Sequence, residues 1–360
     1  MPREVNGSGP IPAKIMVVGE APGAEEEVRG VPFIGASGHE LDKMLGEAGI
    51  SRAEVFVTNV CRVRPPDYFK KGKRISNDIG QWISTGKGKP TIKFNPQTPG
   101  EWAPLRDRWV KPEIAQGVKR LLLEIELVRP NVIIPVGNLS MWALTGRWGI
   151  SKWRGSMLLG WDLHGPKIIP TFHPAYVLRS WSERAITVSD LRRAARFRNG
   201  EPYPNPGWQF GIRPTFLDVQ NHLAMLYDRC CEVGLRLVVD IETSRGHIDC
   251  IGIAWNKQQA LCIPLMCKSN QEGYWSLDEE ACIVWWLWRL MTHPKVEIIG
   301  QNFLYDCQYI YRHWHFTPRV AFDTMIGQHA IFSDLPKALA YLASMYSNFY
   351  IFWKEEGKSI

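Results

Sequence analysis

Short apolar runs punctuate the first 200 residues: KIMVVG at Lys14–Gly19, EVFVT at Glu54–Thr58, NVIIPVG at Asn131–Gly137 and KIIPT at Lys167–Thr171. Runs of this length without polar alternation predict strands buried on both faces. Segments of helical character separate them. One opens at the box Ser37-x-x-Glu40 and ends at Gly49, a second covers about Glu113–Val128, and the basic stretch LRRAARFR spans Leu191–Arg198. Strands alternating with helices predict an α/β fold with a doubly wound parallel sheet. A polar residue follows each strand in turn: Glu20, Asn59, Asn138 and His173. Ligands of open parallel sheets bind beyond the carboxyl ends of the strands, so these four residues are expected to converge on one crevice.

The pattern changes after residue 214. LRLVVD (Leu235–Asp240) and IDCIGIAW (Ile248–Trp255) read as strands paired around the turn SRGH, and ALCIPLM from Ala260 as a third. A helix is expected from the box Ser276-x-x-Glu279, then a strand at Val296–Gly300 and helices near Tyr305–His313, Asp323–Phe332 and Leu335–Tyr346. This predicts a mixed sheet flanked by helices. Between the two patterns runs GEPYPNPGWQFGIRP, with four prolines and no apolar periodicity. The expected organisation is a domain at 1–200, a Pro-rich linker at 201–214 and a second domain at 215–360.

Length and composition agree with two soluble globular domains: 360 residues, 45% apolar and 22% charged. The longest apolar stretch, around Ala281–Met291, is broken by Arg289 and too short to span a bilayer, and no signal-peptide pattern opens the chain. No membrane partner and a cytoplasmic location are therefore expected. Of eight cysteines only Cys61 precedes residue 200, and no C-x-x-C pair occurs, which predicts reduced thiols with neither a disulfide framework nor a zinc site. Charge is uneven. Residues 1–212 carry 30 Lys and Arg against 20 Asp and Glu, whereas residues 213–360 carry 13 against 16. A basic half points to nucleic acid, and an acidic half to carboxylates gathered for another purpose.

The segment GEAPGAEEEVRGVPFIGASG, Gly19–Gly38, forces a compact loop after the first strand but lacks the G-x-G core of a dinucleotide site. It resembles the first motif of the uracil-DNA glycosylase superfamily, in particular the family 4 enzymes. The resemblance continues through TNVCRVRPP (Thr58–Pro66), RPNVIIPVG (Arg129–Gly137) and FHPAYVLRS (Phe172–Ser180). It implies that Phe33 stacks on a flipped base, that Asn59 reads the uracil edge, and that His173 donates toward O2 of the departing uracil. Glu20 and Glu26 match the acidic positions, with Glu26 favoured for the attacking water and Glu20 second. Arg179 would press the DNA. Family 4 enzymes hold a 4Fe–4S cluster on four cysteines. Here no cysteine precedes the first strand, Val63 stands at the third position, Gly117 lies near the fourth, and Cys61 is two residues out of register. No Fe–S cluster is therefore expected, its structural role passing to packing. A long insertion, about Asp67–Lys111, brings Lys70, Lys71, Lys73, Arg74, Lys87, Lys89 and Lys93, and reads either as a DNA-contacting flap with aromatic wedges or as a solvated loop.

In the second domain VVDIETSRG sets Asp240 and Glu242 on one face of a strand, and IIGQNFLYDCQYI spaces Asn302 and Asp306 four apart. Both resemble motifs of the 3′–5′ exonuclease domain of family A DNA polymerases, of ribonuclease H-like fold, and FDTM with LPKALAYLASMY continues the resemblance. It implies two metals, Mg²⁺ or Mn²⁺, with Asp240, Glu242 and Asp306 as ligands. A fourth acid in a late Y-x-x-x-D motif has no match before the closing KEEGKSI, and Asp323 and Asp334 are poor substitutes, so low nuclease activity is expected. The leading expectation is a uracil-DNA glycosylase acting on uracil-containing DNA, joined to the proofreading-type domain of a viral-type polymerase whose remainder is a possible partner. The alternatives are a non-catalytic uracil or DNA sensor and a chain that is chiefly an exonuclease.

Overall fold

A computed structural model describes residues 3–84, 102–161, 163, 165–267 and 273–354. Lys87, Lys89 and Lys93 of the insertion lie outside the described residues. The chain divides into two compact units, Met1–Pro204 with Ala343–Ile360, and Asn205–Leu342.

In the first unit the described residues form a five-stranded sheet in the order Val55–Asn59, Ile15–Gly19, Val132–Pro135, Lys167–Ile168, Leu158–Leu159. All neighbours are parallel except the last pair. The register sets Gly19 beside Asn59 and Val18 beside Pro135, so Glu20 leaves the sheet next to the end of the second strand. The three central strands are buried throughout, which is why they read as unbroken apolar runs. The fourth strand is shorter than expected. Its continuation runs through Pro170, which has no N–H for a ladder, and sheet contact resumes as a single bridge between Thr171 and Val136.

Helix Pro112–Val128 buries Ile114, Val118, Leu121, Ile125 and Val128, a stripe at helical spacing, with proline at its first turn and Arg129 in the left-handed conformation closing it. Two helix boundaries differ from expectation. The helix assigned to the Ser37 box is Ala36–Glu47 with Gly35 as its N-cap, because Glu40 is buried and committed to Arg184 at 2.7 Å. The basic helix starts earlier, at Arg184, and ends at Ala195, burying Ile186, Val188, Leu191 and Arg193.

The second unit has a six-stranded mixed sheet among the described residues: Gln209–Gly211, Gln259–Pro264, His247–Ala254, Leu235–Ser244, Val296–Gly300, Val320–Asp323. Its centre is an antiparallel meander, with Val296–Gly300 and Val320–Asp323 added in parallel. Helices Phe216–Val233 and Leu277–Met291 start at capping boxes, Thr215 with Asp218 and Ser276 with Glu279. The strand Val320–Asp323 was not expected, since an edge strand of four mostly exposed residues leaves no apolar run. Part of the presumed linker, Gln209–Gly211, pairs with Gln259–Leu261 instead of remaining irregular.

The C-terminal stretch departs from the expected 215–360 boundary. Arg154 is buried, pairs with Asp190 and donates to Ser344 Oγ at 2.8 Å, and Arg193 donates to Ser347 O at 3.1 Å. Met157 N–H donates to Tyr350 O at 2.8 Å, and Phe352 packs edge-on against Trp153. Two buried guanidiniums need acceptors, and residues 343–354 supply several of them to the first unit. Among the described residues no helix is long and apolar enough to cross a membrane.

Candidate active site

The site is organised around a glycine. A Cβ on Gly19 would lie 2.2 Å from Asn59 Oδ1 and 2.7 Å from Phe33 Cζ, so only glycine lets both side chains meet over the end of the first strand. Phe33 adopts φ +56°, a left-handed conformation that a bulky residue holds only under constraint from its surroundings. Gly38 provides part of that constraint: a Cβ there would sit 1.9 Å from Phe33 O. Gly38→Ala is therefore expected to destabilise the protein by about 2 kcal/mol. Gly46→Ala, on the same helix with open space around it, should stabilise by up to about 1 kcal/mol. Urea unfolding of the two variants checks this; equal effects would show that the contact at Phe33 is not constraining.

Asn59 is 3% exposed, and its Nδ2 is buried with no hydrogen-bond partner. An amide donor in that state costs free energy that a ligand acceptor would recover. Its backbone is clamped by Arg120, whose guanidinium donates to Thr58 Oγ1 at 3.0 Å, to Val60 O at 2.9 Å and to Asn59 O, while Glu124 accepts at 2.6 Å. Sequence reasoning missed Arg120; its i, i+4 spacing from Glu124 on the helix was the available signal.

His173 caps the short helix Pro174–Val177. Its Nδ1 accepts the Ala175 N–H at 3.1 Å, which leaves the proton of the neutral ring on Nε2. Burial, with Arg179 nearby, lowers its pKa to about 4. The ring stacks against Phe33, centroids 6.2 Å apart and planes 27° from parallel. At neutral pH His173 is therefore an uncharged donor backed by an aromatic face.

The two glutamates occupy different places. Glu20 lines a cavity of about 600 Å³ together with His173, Asn138, Phe172, Arg179 and Asp78. Its Oε1 accepts the Leu139 N–H at 2.9 Å at the start of helix Asn138–Thr145. That approach needs glycine at 137, with φ +105°, because a Cβ there would lie 2.5 Å from Oε1. Burial raises the Glu20 pKa above the ordinary carboxylate value, and Asp78 adds to the rise. Glu26 is buried at the third position of helix Ala24–Arg29, accepts backbone N–H groups from Gly23 (3.1 Å) and Phe33, and stands outside the cavity lining. Asn59 and Phe33, buried at the strand end, also stand outside the cavity lining, Phe33 adjoining it through its stacking on His173, and the exposed Arg179 stands at the rim. Of the four strand-end residues expected to converge, Glu20, Asn138 and His173 line the cavity and Asn59 does not, because it is packed against Gly19 and Phe33.

In the second unit Asp240 and Glu242 are exposed on one face of strand Leu235–Ser244. Asp306 is buried in the first turn of helix Leu304–Trp314 and accepts the Ile241 N–H at 2.9 Å. Burial, then the charges of Asp240 and Asp323, push its pKa up to about 6. Asn302 has φ +54°, and the Asn302 and Phe303 N–H groups both donate to Asp323, which also receives Met325 N–H. Asp323 thus ties the strand-to-helix junction together. Elsewhere, Cys230, Cys231 and His293 bring ligand atoms within 4.8 Å of one another, but His293 Nδ1 accepts Lys295 N–H, which leaves the ring proton on the Nε2 that faces Cys231.

The family model described as the uracil DNA glycosylase superfamily matches residues 7–196. The chain belongs to this superfamily. Its glycosylase unit is 34% identical over 197 residues to a type-4 uracil-DNA glycosylase of Thermotoga maritima, covering 54% of this chain and 82% of that protein. It is 29% identical over 215 residues to a type-4 enzyme of Saccharolobus solfataricus, covering 58% and 82%. The 3′–5′ exonuclease family of the polymerase A type matches residues 221–359. A DNA polymerase of Bacillus phage SP01 is 24% identical over 335 residues, covering 86% of this chain, which spans 31% of that polymerase's length.

Proposed function

We propose that the glycosylase unit hydrolyses the N-glycosidic bond of deoxyuridine in DNA after the nucleotide is flipped from the stack. The observation that carries this reading is the buried, unpartnered Nδ2 of Asn59. Uracil presents a carbonyl O4 to such a donor, whereas cytosine presents an amino group, so the amide separates the two bases. Phe33 supplies the aromatic face. His173 Nε2–H stabilises negative charge on the departing base at O2. The cavity lining favours Glu20 over Glu26 as the carboxylate that orients water, with Glu26 shaping the loop that holds Phe33. Arg179 meets the DNA backbone at the rim.

An iron–sulfur cluster does not fit the residues of this unit. A 4Fe–4S cluster takes four thiolates, whereas residues 1–200 contain one cysteine. Cys61 is buried 3.9 Å from Glu113 O, and burial holds its thiol protonated. Gly117 instead lets the helix Pro112–Val128 pack onto the Val60 carbonyl, where a Cβ would fall 2.3 Å away. This contact and the Arg120 clamp support a unit held together without the cluster.

In the exonuclease unit Asp240, Glu242 and Asp306 are hard oxygen donors of the kind Mg²⁺ or Mn²⁺ takes, and such a metal would supply an activated water and stabilise the leaving oxygen. Mn²⁺ at about ten times its Kd should stabilise this unit by about 1.4 kcal/mol. The gain should disappear in Asp306→Asn, and calorimetry showing the same gain in that variant would remove Asp306 from the ligand set.

The deciding experiment incubates the full chain with an oligonucleotide carrying one uracil, followed by alkali to reveal abasic sites. Strand breakage at uracil and none at cytosine is expected. Tight uracil-dependent binding without breakage would replace the enzyme by a sensor.

A further inference from the structure

The insertion after Pro66 forms a small hairpin, Tyr68–Lys70 paired with Lys73–Ile75, whose second strand runs directly into the wall of the glycosylase cavity. The residues that follow its second strand, Ser76–Ile79, line that cavity with Glu20 and His173. Its root is fixed. Asp67 accepts from Arg64 at 2.6 Å and from Arg74 at 2.8 Å, Arg64 also donates to Ser76 Oγ, and Tyr68 OH donates to Asp78 at 2.6 Å. These partners pull the Asp67 pKa down to about 2, so the network stays ionised at neutral pH. A two-stranded hairpin is marginal in water by itself, and this root supplies the anchoring its strands lack.

The tip is unlike a solvated loop. Lys71 and Gly72 both have positive φ, the tight two-residue turn that keeps paired strands in register. Phe69 is 74% exposed and does not enter the core, while Lys70, Lys71 and Lys73 stand exposed around it. A large aromatic held out on a braced, lysine-bearing hairpin a few residues from a cavity wall has the chemistry of a stacking wedge with phosphate contacts.

We propose that hairpin Tyr68–Ile75 is a duplex-DNA wedge in which Phe69 enters the base stack beside the flipped nucleotide and Lys70, Lys71 and Lys73 contact the flanking phosphates. This rests on the base-flipping reading of the cavity. A flipped base leaves a gap in the stack, and an inserted aromatic replaces the lost stacking. In single-stranded DNA there is little stacking to replace, so the wedge matters for duplex substrate.

The test uses the full chain as wild type, Phe69→Ala, Phe69→Trp and a Lys70/Lys71/Lys73→Ala triple variant. Phe69→Ala should lower kcat/KM on a uracil-containing duplex by about tenfold and on the single strand by less than about twofold, with Phe69→Trp restoring the rate. The triple variant should weaken duplex binding and reduce the slope of log K against log salt by about 2–3. A duplex with 2-aminopurine next to a non-hydrolysable 2′-fluoro-deoxyuridine reads insertion without any bond cleavage. Its fluorescence change on binding should be lost in Phe69→Ala. Unaltered fluorescence, duplex rate and salt slope in the variants would overturn the wedge. Absence of excision by the wild type, with the Phe69-dependent fluorescence intact, would instead refute the enzyme reading and leave the wedge standing. Thermal unfolding unchanged from wild type confirms that the variants fold.

Discussion

His173→Ala is expected to lower kcat for uracil excision by about 10²–10³, with KM for the oligonucleotide changed little, because the side chain acts on charge that develops only as the glycosidic bond breaks. The Ala175 N–H occupies Nδ1, so one donor, Nε2–H, is left for the departing base. A pKa near 4 makes that donor neutral across the working range, and the rate should show no limb from this residue between pH 5 and 8. The leaving group offers an independent readout. 5-Fluorouracil carries negative charge more readily than uracil, so deoxy-5-fluorouridine should recover much of the rate lost in His173→Ala. The depressed pKa also links to stability. The folded state resists protonating the ring, so His173 favours folding above its unfolded pKa of about 6.5, and this contribution fades as pH falls toward 4. Replacement by alanine should make unfolding less acid-sensitive in that window. A kcat within tenfold of wild type, or equal losses on uracil and its fluorinated analogue, would remove His173 from the leaving-group role.

What the sequence disclosed follows from what each element buries. The strands Ile15–Gly19, Val55–Asn59 and Val132–Pro135 are apolar at every position because both faces are covered, and the polar residues just past them mark the strand ends where a site forms. Asn138 and His173 were placed at one crevice for that reason, whereas Asn59 lies outside its lining. Glu20 and Glu26 were not separable, since the difference lies in which amides reach each carboxylate. Glu20 is met by a helix start 119 residues away, made accessible by the conformation of Gly137. Arg120 showed only its i, i+4 pairing with Glu124, because the two carbonyls that tie it to the strand end, Asn59 O and Val60 O, carry no sequence signature. The same holds at the C-terminal end. Arg193 recruits backbone oxygens of residues 343–354 to the first unit, and no residue type in that stretch announces the contact. The hairpin at Tyr68–Ile75 lay between the two, with its charge visible in the sequence and its anchoring to Arg64 visible only in three dimensions.

Glu20→Gln is expected to lower kcat by about 10²–10⁴, the range for removing a positioned general base, while Glu26→Gln acts chiefly through stability. Glutamine keeps an oxygen for the Leu139 N–H but cannot hold water as a proton acceptor, so the loss should fall on kcat. In wild type, burial and Asp78 raise the Glu20 pKa, and activity should therefore decline as pH drops through a value above the ordinary carboxylate range. That acid limb should be absent from the residual activity of Glu20→Gln. The raised pKa means that the folded state binds the proton more tightly than the unfolded chain. Protonated Glu20 thus favours folding, and this contribution is lost as pH rises through the folded pKa. Above its folded pKa the ionised carboxylate is held at a cost, and there the neutral glutamine should raise Tm while it slows the reaction. Glu26→Gln has the opposite expected signature: its carboxylate accepts the Gly23 and Phe33 N–H groups that shape the loop. Loosening it should disturb Phe33 and raise KM, with kcat less affected. Paired pH–rate profiles and unfolding curves separate the two glutamates. An acid limb that persists in Glu20→Gln and vanishes in Glu26→Gln would return the water to Glu26, despite the cavity that Glu20 lines.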